Sequence, residues 1–187
     1  MPLAAHMRDN APMKTRTFNK APAAWVVMGV SGCGKSEVGA RLAGALGARF
    51  IEGDAFHSPA SLAKMAAGVP LRDADRAGWL QALRAELLRV QGAGELPVLA
   101  CSALKRAYRD VLRGGDSKVC FVHLQGAREL IAQRMAARRG HFMPPALLDS
   151  QLHDLEPLQA DECGITLDLR APPARLVAQV LAAMRAP

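Results

Sequence analysis

Residues 25–36 read Trp25-Val26-Val27-Met28-Gly29-Val30-Ser31-Gly32-Cys33-Gly34-Lys35-Ser36. The first four are a short apolar run that stops at glycine, the mark of a strand buried on both faces of a parallel sheet. Lys35 to Leu46 continues with helix-forming composition and stops near Gly47. Between strand and helix, Gly29 to Ser36 fits the pattern G-x-x-x-x-G-K-[ST] throughout. Glycines at such a turn let successive backbone N–H groups converge on phosphate oxygens, and the helix that follows adds its positive end. The spacing is not the G-x-G-x-x-G of a dinucleotide fold. The loop Gly29, Val30, Ser31, Gly32, Cys33, Gly34, Lys35 and Ser36 is therefore a predicted ATP or GTP site, with Lys35 on the β- and γ-phosphates and Ser36 on Mg²⁺.

Outward from this loop, strand and helix signals alternate. Strands are expected at Arg49–Ile51, Pro97–Cys101, Val119–Leu124 and Gly164–Leu169, and helices at Ser58–Ala67, Asp73–Val90, Leu104–Leu112, Ala127–Arg138 and Pro173–Met184. Ser58 and Asp73 read as N-caps, as does Ser102 after the third strand. The alternation predicts an α/β fold with a mostly parallel sheet of about five strands and helices on both faces. Residues 139–160 break the pattern with Gly140, Pro144, Pro145 and Pro157, and read as a mobile insertion. Residues 1–22 lack periodicity and read as a disordered extension, leaving a main domain at 23–187.

Composition narrows the possibilities. With 187 residues, half hydrophobic and 22% charged, the chain suits one globular domain. No apolar run is long enough for a bilayer span. Residues 1–22, 102–118 and 126–142 each carry net +3 and the remaining chain −2, which gives the net +7. Aromatics make up only 4%, too few for a platform that stacks single-stranded nucleic acid. Cys33, Cys101, Cys120 and Cys163 have no C-x-x-C spacing, which excludes a disulfide scaffold or a zinc cluster and suits a reducing, cytoplasmic compartment. Cys101 and Cys120 read as buried core residues, and Cys33 as an accessible thiol in the loop.

Several residues fall at expected strand ends, where open parallel sheets bind ligands. Asp54 can accept or orient an acceptor hydroxyl, and His57 can hydrogen-bond a polar substrate. Arg76 would sit in a first helical turn, an unfavourable place for a cation unless a ligand or carboxylate is near. Lys105 and Arg109, four apart, would share a helix face and repel each other unless an anion lies between them. Arg134 and Arg138 would share another face and, beside the insertion, suit a lid that closes over phosphates.

These blocks together carry a resemblance. The loop, then Gly53-Asp54-x-x-His57, Lys64-Met65-x-x-Gly68-x-Pro70-Leu71-x-Asp73-x-Asp75-Arg76-x-x-Trp79-Leu80, Cys101-Ser102-Ala103-Leu104-Lys105-x-x-Tyr108-Arg109-Asp110, Arg138-x-Gly140-His141-Phe142 and Leu155-Glu156-Pro157-Leu158 resemble the gluconate kinase family over about residues 24–185. Ser61 and Gly78 depart from it, standing where an Asn and a Pro are expected. The resemblance implies a P-loop NTPase fold like that of nucleoside monophosphate kinases, with a lid at about 138–160. It implies ATP- and Mg²⁺-dependent phosphorylation of D-gluconate to 6-phospho-D-gluconate, and often a homodimer. In that frame Lys35, Asp54 and Arg138 are the expected catalytic groups and Arg134 joins the loop on ATP. Asp54, His57, Arg76, Lys105, Arg109 and His141 are expected on the acceptor, and Ser36 on the metal. Two alternatives stay open: a shikimate- or nucleotide-kinase-like enzyme, although Asp54-Ala55-Phe56 lacks the Asp-x-Asp usual in shikimate kinases; and a nucleotide-regulated protein whose basic tail binds nucleic acid.

Overall fold

The computed structural model describes residues 21–137 and 146–185. Five strands form one sheet: β1 (Ala24–Met28), β2 (Arg49–Glu52), β3 (Pro97–Ala100), β4 (Val119–Gln125) and β5 (Gly164–Asp168). Their spatial order is β2-β3-β1-β4-β5 and every pairing is parallel. The helices are α1 (Lys35–Leu46), α2 (Pro59–Ala66), α3 (Asp73–Gly92), α4 (Arg106–Arg113), α5 (Arg128–Ala137), α6 (Ala146–Asp154) and α7 (Pro173–Arg185). The expected α/β architecture is thus present, and β1 lies at the centre of the sheet.

Alternation along β1 shows why the run had to be apolar throughout. Trp25 and Val27 enter one core with Val38 and Leu42 of α1, Ile131 and Met135 of α5, and Leu176 and Val180 of α7. Ala24, Val26 and Met28 enter the opposite core with Trp79, Leu80, Leu83 and Leu87 of α3 and Tyr108 and Leu112 of α4. Each fully buried Leu of α3 contributes roughly 1.5–3 kcal/mol by leaving water. Gly47 ends α1 at φ 62°, and the next N–H, of Ala48, reaches back to the Ala43 carbonyl at 2.8 Å.

Some local expectations change. Ser58 does cap α2, accepting the Ser61 N–H at 3.1 Å. The cap of α3 is Arg72, one residue earlier than Asp73, and its N–H is bonded by Asp75 at 2.9 Å. Helix α4 begins only at Arg106, so Lys105 caps it and Ser102 stays in the preceding loop. Inside the expected insertion, 146–154 form helix α6. Its signal was in the sequence: Leu148, Leu152 and Leu155 recur at helical spacing just after Pro144-Pro145.

The cysteines also differ. Cys120 and Cys163 form a disulfide linking β4 to the residue before β5. Their strands are adjacent, with Phe121 paired to Gly164, and this neighbourhood could not be seen from a separation of 43 residues. Cys33 is buried, not accessible, because its side chain joins the core with Val38, Leu42, Ile131 and Met135. Cys101 is buried as expected, and desolvation pushes its thiol up to about 12.

Candidate active site

All five strands point their carboxyl ends at one rim, and the loops there build a cleft. Its wall contains Ser31 and Lys35 of the glycine loop, Asp54 and His57 after β2, Arg76 of α3, Ser102 after β3, and Leu147, Ser150 and Gln151 of α6. Gly29 holds φ +142°, and an added Cβ would meet Cys33 Sγ and the Leu124 carbonyl oxygen at 2.8 Å each. No other residue fits that turn without displacing backbone. Lys35 Nζ donates to the Val30 carbonyl at 3.0 Å, folded onto its own loop. The Ser31 N–H donates to Oε1 of Gln151 at 2.6 Å, so an oxygen from α6 sits on an amide of the glycine loop. A loop that draws an oxygen acceptor onto its amide and holds a lysine along its rim is a cradle that fits a triphosphate. Ser36, at the start of α1, is exposed beside it.

After β2 a short 3-10 turn, Gly53–Phe56, delivers Asp54 to the cleft. Trp79 Nε1 donates to the Gly53 carbonyl at 2.8 Å and fixes that turn to α3. His57 stacks on Trp79 with ring centres 4.3 Å apart, and its Nε2 lies 3.9 Å from Asp54 Oδ1. Burial, the largest influence, lowers the His57 pKa, so the ring is neutral at pH 7 and presents a donor and an acceptor. Arg76 is buried, donates to Tyr108 Oη at 3.1 Å, and lies 3.6 Å from Asp154. The carboxylate inferred from its misplaced charge in the first turn is therefore present. Lys105 Nζ pairs with Asp73 at 2.8 Å, and the Tyr108 hydroxyl donates to the same carboxylate at 2.5 Å. Those two hydrogen bonds hold Asp73 below the usual carboxylate range.

Arg109 is not in the cleft. It is fully buried, and its guanidinium donates to both oxygens of Glu162 at 2.7 and 2.9 Å and to the carbonyls of Ala103, Leu104, Glu156 and Pro157. Those bonds engage all of its N–H groups, leaving none for an acceptor. Because Lys105 caps α4 while Arg109 lies within it, the two do not share a face, and Arg109 braces the loop after β3. There Ala103 holds φ +42°, a strained conformation for a residue with a Cβ. Two more cations of the 102–118 basic patch are likewise paired, Arg106 with Asp161 and Arg113 with Asp110.

On the far side of the glycine loop, Arg134 lines a second space with Gly32, Gly34, Glu37, Ala171 and Pro173. Its Nη2 donates to the Leu169 carbonyl at 2.7 Å. Arg138 and His141 lie outside the described residues. The sequence reading missed Gln151, Ser150 and Asp154. Their spacing, with Leu147, is i, i+3, i+4, i+7, one face of α6.

A parallel sheet with β1 at its centre, a glycine loop and lysine at its carboxyl end, and a carboxylate facing that loop across a cleft define a P-loop kinase of small molecules. A family model described as shikimate kinase matches residues 31–165. A probable gluconokinase of Rattus norvegicus is 45% identical over 184 residues, covering 89% of this chain and 100% of that one. The gluconokinase of Gluconobacter oxydans is 54% identical over 138 residues, 73% of this chain and 77% of that one. The crystal structure of a gluconokinase from Sinorhizobium meliloti superposes with a TM-score of 0.78 at 45% identity, covering 90% of this chain and 93% of that one. The chain belongs to the gluconokinase family, and as a kinase of that family it uses ATP.

Proposed function

We propose that the protein transfers the γ-phosphoryl group of ATP to a hydroxyl of D-gluconate, giving 6-phospho-D-gluconate. The observation that carries this reading is one cleft in which Ser31 and Lys35 of the phosphate cradle face Asp54, His57 and Arg76. Donor and acceptor sites then share a wall, as direct transfer requires. Bound ATP with Mg²⁺ supplies the phosphoryl group and part of the charge neutralisation. In this reading backbone N–H groups of residues 29–36 and Lys35 hold the phosphates, and Ser36 would hold the metal. Among the described residues no cluster of three or more His, Cys, Asp or Glu forms a metal cage. Mg²⁺ held by a hydroxyl, phosphate oxygens and water needs none.

Asp54 orients the acceptor hydroxyl and takes its proton as the oxygen attacks phosphorus. His57, held flat on Trp79, hydrogen-bonds the sugar chain. Arg76 and Lys105 provide positive charge for the acid's carboxylate. Arg134 takes the nucleotide side, and Arg138 and His141, in a lid at about 138–160, complete the assignment. The reading keeps a homodimer in the cytoplasm, while the Cys120–Cys163 disulfide removes the cysteine argument for a reducing compartment. Among the described residues no helix is long and apolar enough to cross a membrane.

The test is an ATP-coupled assay with gluconate, shikimate and nucleoside monophosphates as acceptors. Gluconate should turn over far faster than the others. Equal or faster turnover of shikimate or a nucleotide overturns the assignment.

A further inference from the structure

Among the described residues, Arg76 and Arg109 are the buried arginines, and they differ in one respect. Arg109 has every N–H engaged. Arg76, 8% exposed, makes one hydrogen bond among the described residues, from Nη1 to Tyr108. A desolvated guanidinium with most of its donors unengaged calls for an anion. The anion now beside it is Asp154, the last residue of α6. Its Oδ2 is 3.6 Å from Arg76 and its Oδ1 3.9 Å from Lys105, both beyond hydrogen-bond reach. Lys105 is already hydrogen-bonded to Asp73 at 2.8 Å, so Asp154 is a second carboxylate for Lys105 and the neighbouring one for Arg76, whose remaining donors it does not fill. The open space it borders is lined also by Arg72, Asp73 and Ser150, and it shares Leu71, Arg76 and Ser150 with the acceptor cleft.

We propose that Asp154 is a specificity-setting residue, an internal competitor for the carboxylate of the acceptor. This rests on the gluconate reading above. A sugar-acid carboxylate drawn to Arg76 and Lys105 must lie beside Asp154 or displace it, and either costs binding. At a separation of roughly 5 Å, like-charge repulsion weakens binding about four-fold even at the dielectric constant of water, and more in a partly desolvated site. A neutral polyol does not meet this cost. Asp154 thus lowers affinity for the acid while keeping the cations paired in the empty enzyme.

The experiment compares the parent with Asp154→Asn and Asp154→Ser in steady-state kinetics with MgATP. KM for gluconate and the inhibition constant of D-glucitol, the neutral analogue, are both measured. KM for gluconate should fall about four-fold or more in both variants, with KM for ATP and the glucitol constant unchanged. A raised or unchanged gluconate KM overturns the proposal, since it means that Asp154 holds a hydroxyl or does not meet the acid. Equal shifts for gluconate and glucitol also overturn it, because charge is then not the cause. A parent that does not phosphorylate gluconate fails at the function itself, a result seen before any variant is compared.

Discussion

His123 lies on β4 with 2% of its surface exposed, and neither ring nitrogen has a hydrogen-bond partner among the described residues. Burial, then the nearby Arg109 charge, lowers its pKa to about 4. In the unfolded chain the value is about 6.5. Above pH 6.5 both states hold a neutral ring and the residue makes no pH-dependent contribution. Below it the unfolded chain takes up a proton that the native state refuses until about pH 4, so stability falls as the pH drops through this window. Between pH 7 and pH 5 the loss comes to about 2 kcal/mol from this one side chain. Replacing it by leucine, His123→Leu, removes the proton site and both unsatisfied nitrogens while keeping most of the volume. Urea unfolding of parent and variant at pH 7 and pH 5 measures the difference. The parent should lose about 2 kcal/mol more than the variant on acidification. Parallel losses in the two proteins would refute the claim that His123 is held neutral.

Four further outcomes follow from the same geometry. Asp54→Asn should lower kcat by roughly 10²–10⁴ with ATP affinity retained, as read by single-turnover rates and nucleotide titration; an unchanged kcat removes Asp54 from the chemistry. Lys35→Ala should lose about 10² or more in turnover, since the charge on the phosphates goes with it, and retained turnover would contradict the cradle. Arg109→Met removes the two-pronged guanidinium bond to buried Glu162, which keeps the Gln159 N–H at 2.9 Å, and should cost about 3–5 kcal/mol, about 10 °C in thermal midpoint; an unshifted melting curve would show that the pair is not a brace. Reduction of the Cys120–Cys163 bond should lower the midpoint, because its 43-residue separation restrains the unfolded chain by about 2–4 kcal/mol; identical melting with and without dithiothreitol would contradict the pairing.

What the sequence alone determined is the part governed by local chemistry. The loop 29–36 is legible because a backbone that wraps phosphate needs glycine at fixed steps, and lysine and serine at its end. Helix α1 and the strand cores were legible because burial imposes its period on neighbouring residues. The resemblance extended this to Asp54, His57, Arg76 and Lys105, all of which the fold brings to one rim. Tertiary structure alone decided which charges are free to act. Lys105 and Arg109 read as equivalent cations four residues apart, yet one caps a helix at the cleft mouth and the other is sealed against Glu162. Gln151 reaches the cleft and Asp154 the space beside it, both unremarkable in sequence, because α6 packs there. The cysteines paired only once β4 and β5 lay side by side. A charge's role depends on what stands opposite it, and partners 53 residues away, like Glu162 for Arg109, are set by packing and not by spacing along the chain.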